Sequence, residues 1–126
     1  MINEKNFTDG ILFIDSENPR ESIVFNVKSW VGMIEAIIER YAGKTKEESE
    51  KMVFSSVIIQ SMEINDYNDV TFYCHESEYY WAMLIAYGEQ YWLKGVSPHE
   101  PDDYFEWEKQ YRKDHNLAEE SFVFSD

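Results

Sequence analysis

Apolar positions recur at helical spacing most clearly between Trp30 and Tyr41, where Trp30, Ile34, Ile37, Ile38 and Tyr41 fall on one face, the pattern of an amphipathic helix. Ser29 is placed to cap its start and Gly43 to take the left-handed position beyond its end. A second helix is expected at TKEE, where Thr45 and Glu48 have capping-box spacing ahead of Met52 and Val53. From Phe54 to Met62, FSSVIIQSM mixes serines with a β-branched run, and periodicity does not separate an extension of this helix from a new one; helix is the reading adopted. INDYND then reads as a turn, and VTFYC, Val70 to Cys74, as a short strand of β-formers.

Ser77 is positioned to cap a third helix from Glu78 to about Leu93, apolar on most sides and therefore central. A further helix is expected from Pro101 to about His115, because a start at Ser97 would bring a proline inside it. On that helix Tyr104, Trp107 and Tyr111 share one face, while Asp102, Glu106, Lys109 and Lys113 lie on the other. Acids fill its first turns and bases its last, which suits the helix dipole. Near the start of the chain, Ile11 to Ile14 and Ile23 to Phe25 flank the turn-forming DSENPRE and read as a hairpin. The closing NLAEESFVFSD docks through Phe122 and Phe124, or frays. Together these elements predict a predominantly helical α+β fold, with about four or five helices and a small antiparallel β element. A length of 126 residues supports one compact domain over 1–126.

Composition agrees with a folded chain, since 44% hydrophobic and 17% aromatic residues supply more apolar area than a disordered acidic chain carries. The opening MINEKNFTDG has no basic n-region or long apolar run. YYWAMLIAYG, Tyr79 to Gly88, is about half of the roughly 20 residues a bilayer span requires. A lone cysteine, Cys74, has no partner for an internal disulfide, which fits a reducing compartment. The expectation is a cytoplasmic protein without a membrane partner, a monomer being favoured.

Candidate chemistry is sparse. His99, Glu100, Asp102, Asp103 and His115 are the densest set of metal-ligand types, yet they lack a recognised ligand spacing and read better as helix-start carboxylates and surface histidines. Cys74 and His75, adjacent on an expected strand, would point to opposite faces and could not form a thiolate–imidazole pair. GxSxG, GxGxxG and Walker sequences are all missing, and no carboxylate pair is singled out by its surroundings. The reading is a non-enzyme without a cofactor or metal.

Charge changes the picture most. Twenty-five acids stand against eleven bases, a formal net charge of −14, which repels nucleic acid and anionic membranes and attracts basic partners. The excess is concentrated: between Met52 and Glu108 the only base is Lys94, against eleven acids, a net of −10. Twenty-one aromatic residues exceed what a small core needs, and Tyr and Trp are favoured at interface hot spots. Carboxylates around exposed aromatics suit a basic protein that itself binds a polyanion. Two functions follow: a module covering the cationic active site of a nuclease, or a mimic of nucleic acid that occupies a DNA-binding or restriction protein. A mimic should spread its carboxylates along an elongated surface, whereas these crowd into half the chain, which favours the compact inhibitor.

The stretches SWVGMIEAIIERYAGKT, HESEYYWAMLIAYGEQYWLKGVSPHEPDDYFEWEKQYR and NLAEESF resemble immunity proteins of bacterial contact-dependent growth inhibition systems, in particular the group paired with ribonuclease toxins. The likeness spans nearly the whole chain but contains no short catalytic signature. It implies a cytoplasmic protein that binds a cognate toxin domain, a basic ribonuclease with tRNA as a candidate substrate, and performs no reaction itself. Interface residues do not transfer by motif. Charge and helix geometry instead nominate Glu63, Asp66, Asp69, Glu76 and Glu78, with Asp102, Asp103 and Glu106 at the start of the last helix, as toxin-binding positions.

Overall fold

A computed structural model describes residues 7–126. Its β part is a three-stranded antiparallel sheet with β2 in the centre. The expected hairpin is present: β1 (Ile11–Ile14) pairs with β2 (Ser22–Phe25), Ile11 opposite Phe25 and Ile14 opposite Ser22. The chain end neither simply docks nor frays. It forms β3 (Phe122–Ser125) on the other side of β2, with Phe122 opposite Phe25. Phe122 stacks on Phe25 at 4.4 Å, while Phe124 remains exposed. Alternation along β2 buries Ile23 and Phe25 and turns Ser22 and Val24 to the other face.

Six α-helices complete the described residues: α1 (Val27–Tyr41), α2 (Lys46–Ser55), α3 (Val57–Gln60), α4 (Tyr67–Cys74), α5 (Glu78–Tyr87) and α6 (Tyr104–Asp114). The fold is thus α+β and mostly helical. α1 is central and packs on α2 and α5. Its Trp30 is fully buried against the edges of Phe25, Tyr73 and Trp81, at 5.6, 5.6 and 6.4 Å, an arrangement that pairs ring edges with ring faces.

The start of α1 corrects the expectation for Ser29. Asn26 occupies the N-cap position, and Ser29 lies buried inside the first turn as a junction. Its amide and hydroxyl donate to the two carboxylate oxygens of Asp9 at 2.9 and 2.7 Å, and its hydroxyl accepts from the Ala118 amide at 2.8 Å. Asn26 works in parallel, accepting from the Gly10 amide and donating to the Glu120 carbonyl, both at 2.8 Å. At the far end, Gly43 has φ +66°, as expected just past a helix terminus.

Thr45 and Glu48 form the expected capping box. Ser56, extended at ψ 149°, then breaks the helix and caps the single turn of α3. Val70–Cys74 is helix, not strand. Asp66 and Asp69 close a capping box that starts α4, and Val70 and Tyr73, one turn apart, are buried against the core. Packing and the cap override the β preference of VTFYC. Because this is a helix, the opposite-faces argument for Cys74 and His75 does not apply. Ser77 does cap α5, but α5 stops at Tyr87 rather than Leu93. Gly88, at φ +90°, ends it, and Tyr91–Lys94 follow as a separate 3₁₀ turn. α6 begins three residues later than expected because Pro101–Asp103 form a turn first, in which the Tyr104 amide donates to the Pro101 carbonyl at 3.0 Å.

Candidate functional site

The nominated carboxylates occupy three places. Glu63, Asp66 and Asp69 gather at the start of α4. Glu63 and Asp66 are exposed, and Asp69 is half-buried. The Asp66 carboxylate accepts from the Asp69 amide at 3.0 Å, and that of Asp69 accepts from the Asn65 amide at 2.8 Å. Both side chains therefore hold the helix start while keeping their charge at the surface. Burial raises the Tyr73 phenol above its usual range, with Asp69 and Glu63 adding to the rise.

At the start of α6, Asp102 and Glu106 are exposed. Asp103 is not an open anchor. It sits 2.7 Å from the Arg40 guanidinium and accepts from the Tyr41 hydroxyl at 3.1 Å, and these two hydrogen bonds hold its carboxyl below the usual range. Arg40 also lies over the Trp107 ring at 5.1 Å, so the end of α1 and the start of α6 are tied by one cation.

The third place is the interior. Glu78 is mostly buried beside Arg112, whose guanidinium lies 3.9 Å from Glu78 and 2.9 Å from Glu108. Arg112 is 5% exposed and also donates to the Ala118 carbonyl at 3.0 Å and the Ser121 hydroxyl at 3.2 Å. Burial raises the Glu78 carboxyl, against the lowering influence of Arg112. Glu78 thus belongs to a tether joining α5, α6 and the segment before β3. Glu76, just before α5, is half-buried and lies 3.8 Å from His75.

Three cations near this acidic stretch are engaged internally. Arg40 and Arg112 hold Asp103, Glu78 and Glu108, and the Lys94 ammonium donates to the Tyr87 carbonyl at 2.9 Å. Among the described residues, Glu63, Asp66, Asp69, Asp102 and Glu106 have no Lys or Arg within ion-pair distance. The α4 group and the α6 group sit on different helices and share no hydrogen bond or ion pair. Phe72 and Phe105, 61% and 65% exposed, stand on those same helices.

Chemistry at other places is bland. The Cys74 thiol is pushed up by burial and donates to the Thr71 carbonyl at 3.5 Å, the behaviour of an inert packed cysteine. His99 is exposed, and the His115 ring stacks on Tyr111 at 3.8 Å. No group of three or more His, Cys, Asp or Glu among the described residues is arranged to hold a metal ion, and none of these helices is long and apolar enough to cross a membrane. Sequence reasoning missed the buried role of Arg112. Its spacing of four from Glu108 was a signal for an ion pair, but not for burial. Comparisons with protein-family models, with curated proteins and with solved structures return no match.

Proposed function

We propose that this protein is an inhibitor of the immunity type: it binds a basic nuclease toxin, acts in the cytoplasm and catalyses nothing. The observation that carries the reading is the uncompensated charge between Met52 and Glu108, where one base faces eleven acids, and Arg40, Arg112 and Lys94 are spent on internal partners. Self-repulsion of this size opposes folding, and a cationic partner relieves it. Acidic groups on α4 and α6, each with an exposed phenylalanine on the same helix, combine long-range attraction with apolar anchors. The first speeds encounter, and the second slows release. The resemblance to contact-dependent growth inhibition immunity proteins points the same way.

The test begins with the neighbouring reading frame. If it encodes a large filamentous secreted protein, its C-terminal domain is expressed, and binding, nuclease inhibition and rescue of growth are measured. Charge reversal belongs at Glu63, Asp102 and Glu106, which are exposed and unbonded to the backbone. Asp66 and Asp69 also cap α4, so their reversal needs a parallel stability measurement. Slower association in the three clean variants, with the difference shrinking at high salt, supports the reading. Unchanged association in all three moves the interface elsewhere. A phage early region beside the gene, with binding to a DNA-binding protein instead, favours the nucleic-acid mimic.

A further inference from the structure

We propose that the cleft between α6 and the segment leading into β3 binds a small zwitterion, a free dipeptide with one apolar side chain. The cleft has a volume of about 430 Å³, within the roughly 300–1,000 Å³ of small-molecule sites. On its α6 wall Lys109 and Lys113 lie one turn apart, and the other wall carries Glu119 and Glu120. Leu117, half-buried and packed against the core, also lines it. All four charged side chains are exposed, and among the described residues none of them enters an ion pair or a side-chain hydrogen bond. Like charges four apart on a helix repel one another. In a chain with 25 acids, the two lysines still lack a carboxylate partner, and the two neighbouring glutamates lack a cation.

The two walls are fixed before any ligand arrives. Asn116, at φ +58°, turns the chain back at the end of α6, and the Leu117 amide donates to the Arg112 carbonyl at 2.8 Å. The returning segment is then pinned to the body of the fold. Its Ala118 amide donates to the Ser29 hydroxyl and its Glu120 carbonyl accepts from Asn26, both at 2.8 Å. Arg112 donates to the Ala118 carbonyl at 3.0 Å and the Ser121 hydroxyl at 3.2 Å. The backbone carrying the two glutamates is thereby held relative to α6, and no ion pair forms across the gap. A ligand bearing both charges answers both walls without moving either, the situation in which preorganisation strengthens binding. A simple anion is drawn to the lysines but repelled by the glutamates, and a simple cation meets the reverse, so the pairing selects a zwitterion. Its carboxylate goes to Lys109 and Lys113, its ammonium to Glu119 and Glu120, and its apolar side chain lies on Leu117. Arg112 forms the base of the cleft, with its guanidinium already committed to Glu108, Ala118 and Ser121. This site does not depend on the inhibitor reading, because none of the four charged residues is among the carboxylates proposed to meet the toxin.

The test uses the full chain, isotopically labelled for amide NMR, and glycyl-leucine in three forms: free, N-acetylated so that only the carboxylate is charged, and C-amidated so that only the ammonium is. The expected result is saturable shifts at Lys109, Lys113, Leu117 and Glu119 with the free dipeptide, and binding about tenfold weaker or less for either blocked form. Two double variants, Lys109→Gln with Lys113→Gln and Glu119→Gln with Glu120→Gln, should each weaken binding of the free dipeptide about tenfold while leaving the melting temperature unchanged, since all four side chains are exposed and unbonded. Equal binding of the acetylated form makes the cleft an anion site and overturns the proposal, as does equal binding of the amidated form. So do shifts centred away from residues 108–120, wild-type affinity in both double variants, or no saturable response at millimolar peptide. The blocked dipeptides probe the unaltered chain, so that comparison stands whatever the variants do to folding. No nuclease is present in this experiment, so its failure and the failure of the inhibitor reading are read separately.

Discussion

Replacing Arg112 by Met keeps most of the side-chain volume and removes the charge that two buried carboxylates share. Arg112 is 5% exposed, and the side chains of Glu78 and Glu108 are 17% and 18% exposed. Without the guanidinium, both acids remain in low-dielectric surroundings with no compensating cation, and the Ala118 carbonyl and Ser121 hydroxyl lose their donors. Breaking a buried pair in this way costs roughly 3–5 kcal/mol, a large part of the 5–15 kcal/mol that separates folded from unfolded states in ordinary domains. Urea unfolding followed by circular dichroism reads the loss as a lower midpoint at unchanged slope. The triple variant Arg112→Met with Glu78→Gln and Glu108→Gln should recover much of the loss, because neutral amides do not need the cation. A single variant within about 1 kcal/mol of wild type refutes the reasoning, as does a triple variant no better than the single one.

Glu78 also makes stability depend on pH. Its folded carboxyl is raised, chiefly by burial, so the folded state holds this proton more tightly than the unfolded state does. Its contribution is complete below the unfolded carboxyl range and is lost as pH rises through the raised folded value; Glu78→Gln should flatten that fall in a melting-temperature series. Ser29→Ala removes the acceptor of the Ala118 amide and the donor to Asp9 and should cost about 1–3 kcal/mol in urea unfolding, with faster amide exchange in β3. Asp66→Ala deletes the α4 cap and should cost about 0.5–2 kcal/mol, whereas an unchanged midpoint would argue against the capping role. Tyr104 is buried and its hydroxyl has no hydrogen-bond partner, so Tyr104→Phe should be neutral or stabilising by about 1 kcal/mol.

What was legible in the chain was what depends on local chemistry. The apolar periodicity of α1, the Thr45–Glu48 box, the Ser77 cap and the hairpin around DSENPRE all rest on residues within a few positions of one another. The aromatic face of α6, with Tyr104 buried and Trp107 and Tyr111 half-buried, was legible for the same reason. Misreadings fell where distant residues decide. VTFYC is helical because Val70 and Tyr73 reach the core, and Ser29 is a junction because Asp9 and Ala118 converge on it. Of the eight nominated carboxylates, Asp103 and Glu78 carry charges that Arg40 and Arg112 answer from far along the chain. Spacing within a helix could not reveal that.

The junction at Asn26 and Ser29 also bears on the order of events during synthesis. Their bonds to Glu120 and Ala118 span sequence separations of 94 and 89 residues, and β2 acquires its second neighbour only through Phe122–Ser125. Contacts of such long reach form late and slow the search for the native state. A ribosome can release α1 through α5 well before the central strand is flanked on both sides. β2 therefore gains its second neighbour only after all six helices of the described residues have been synthesised, and until then its free edge is open to mispairing.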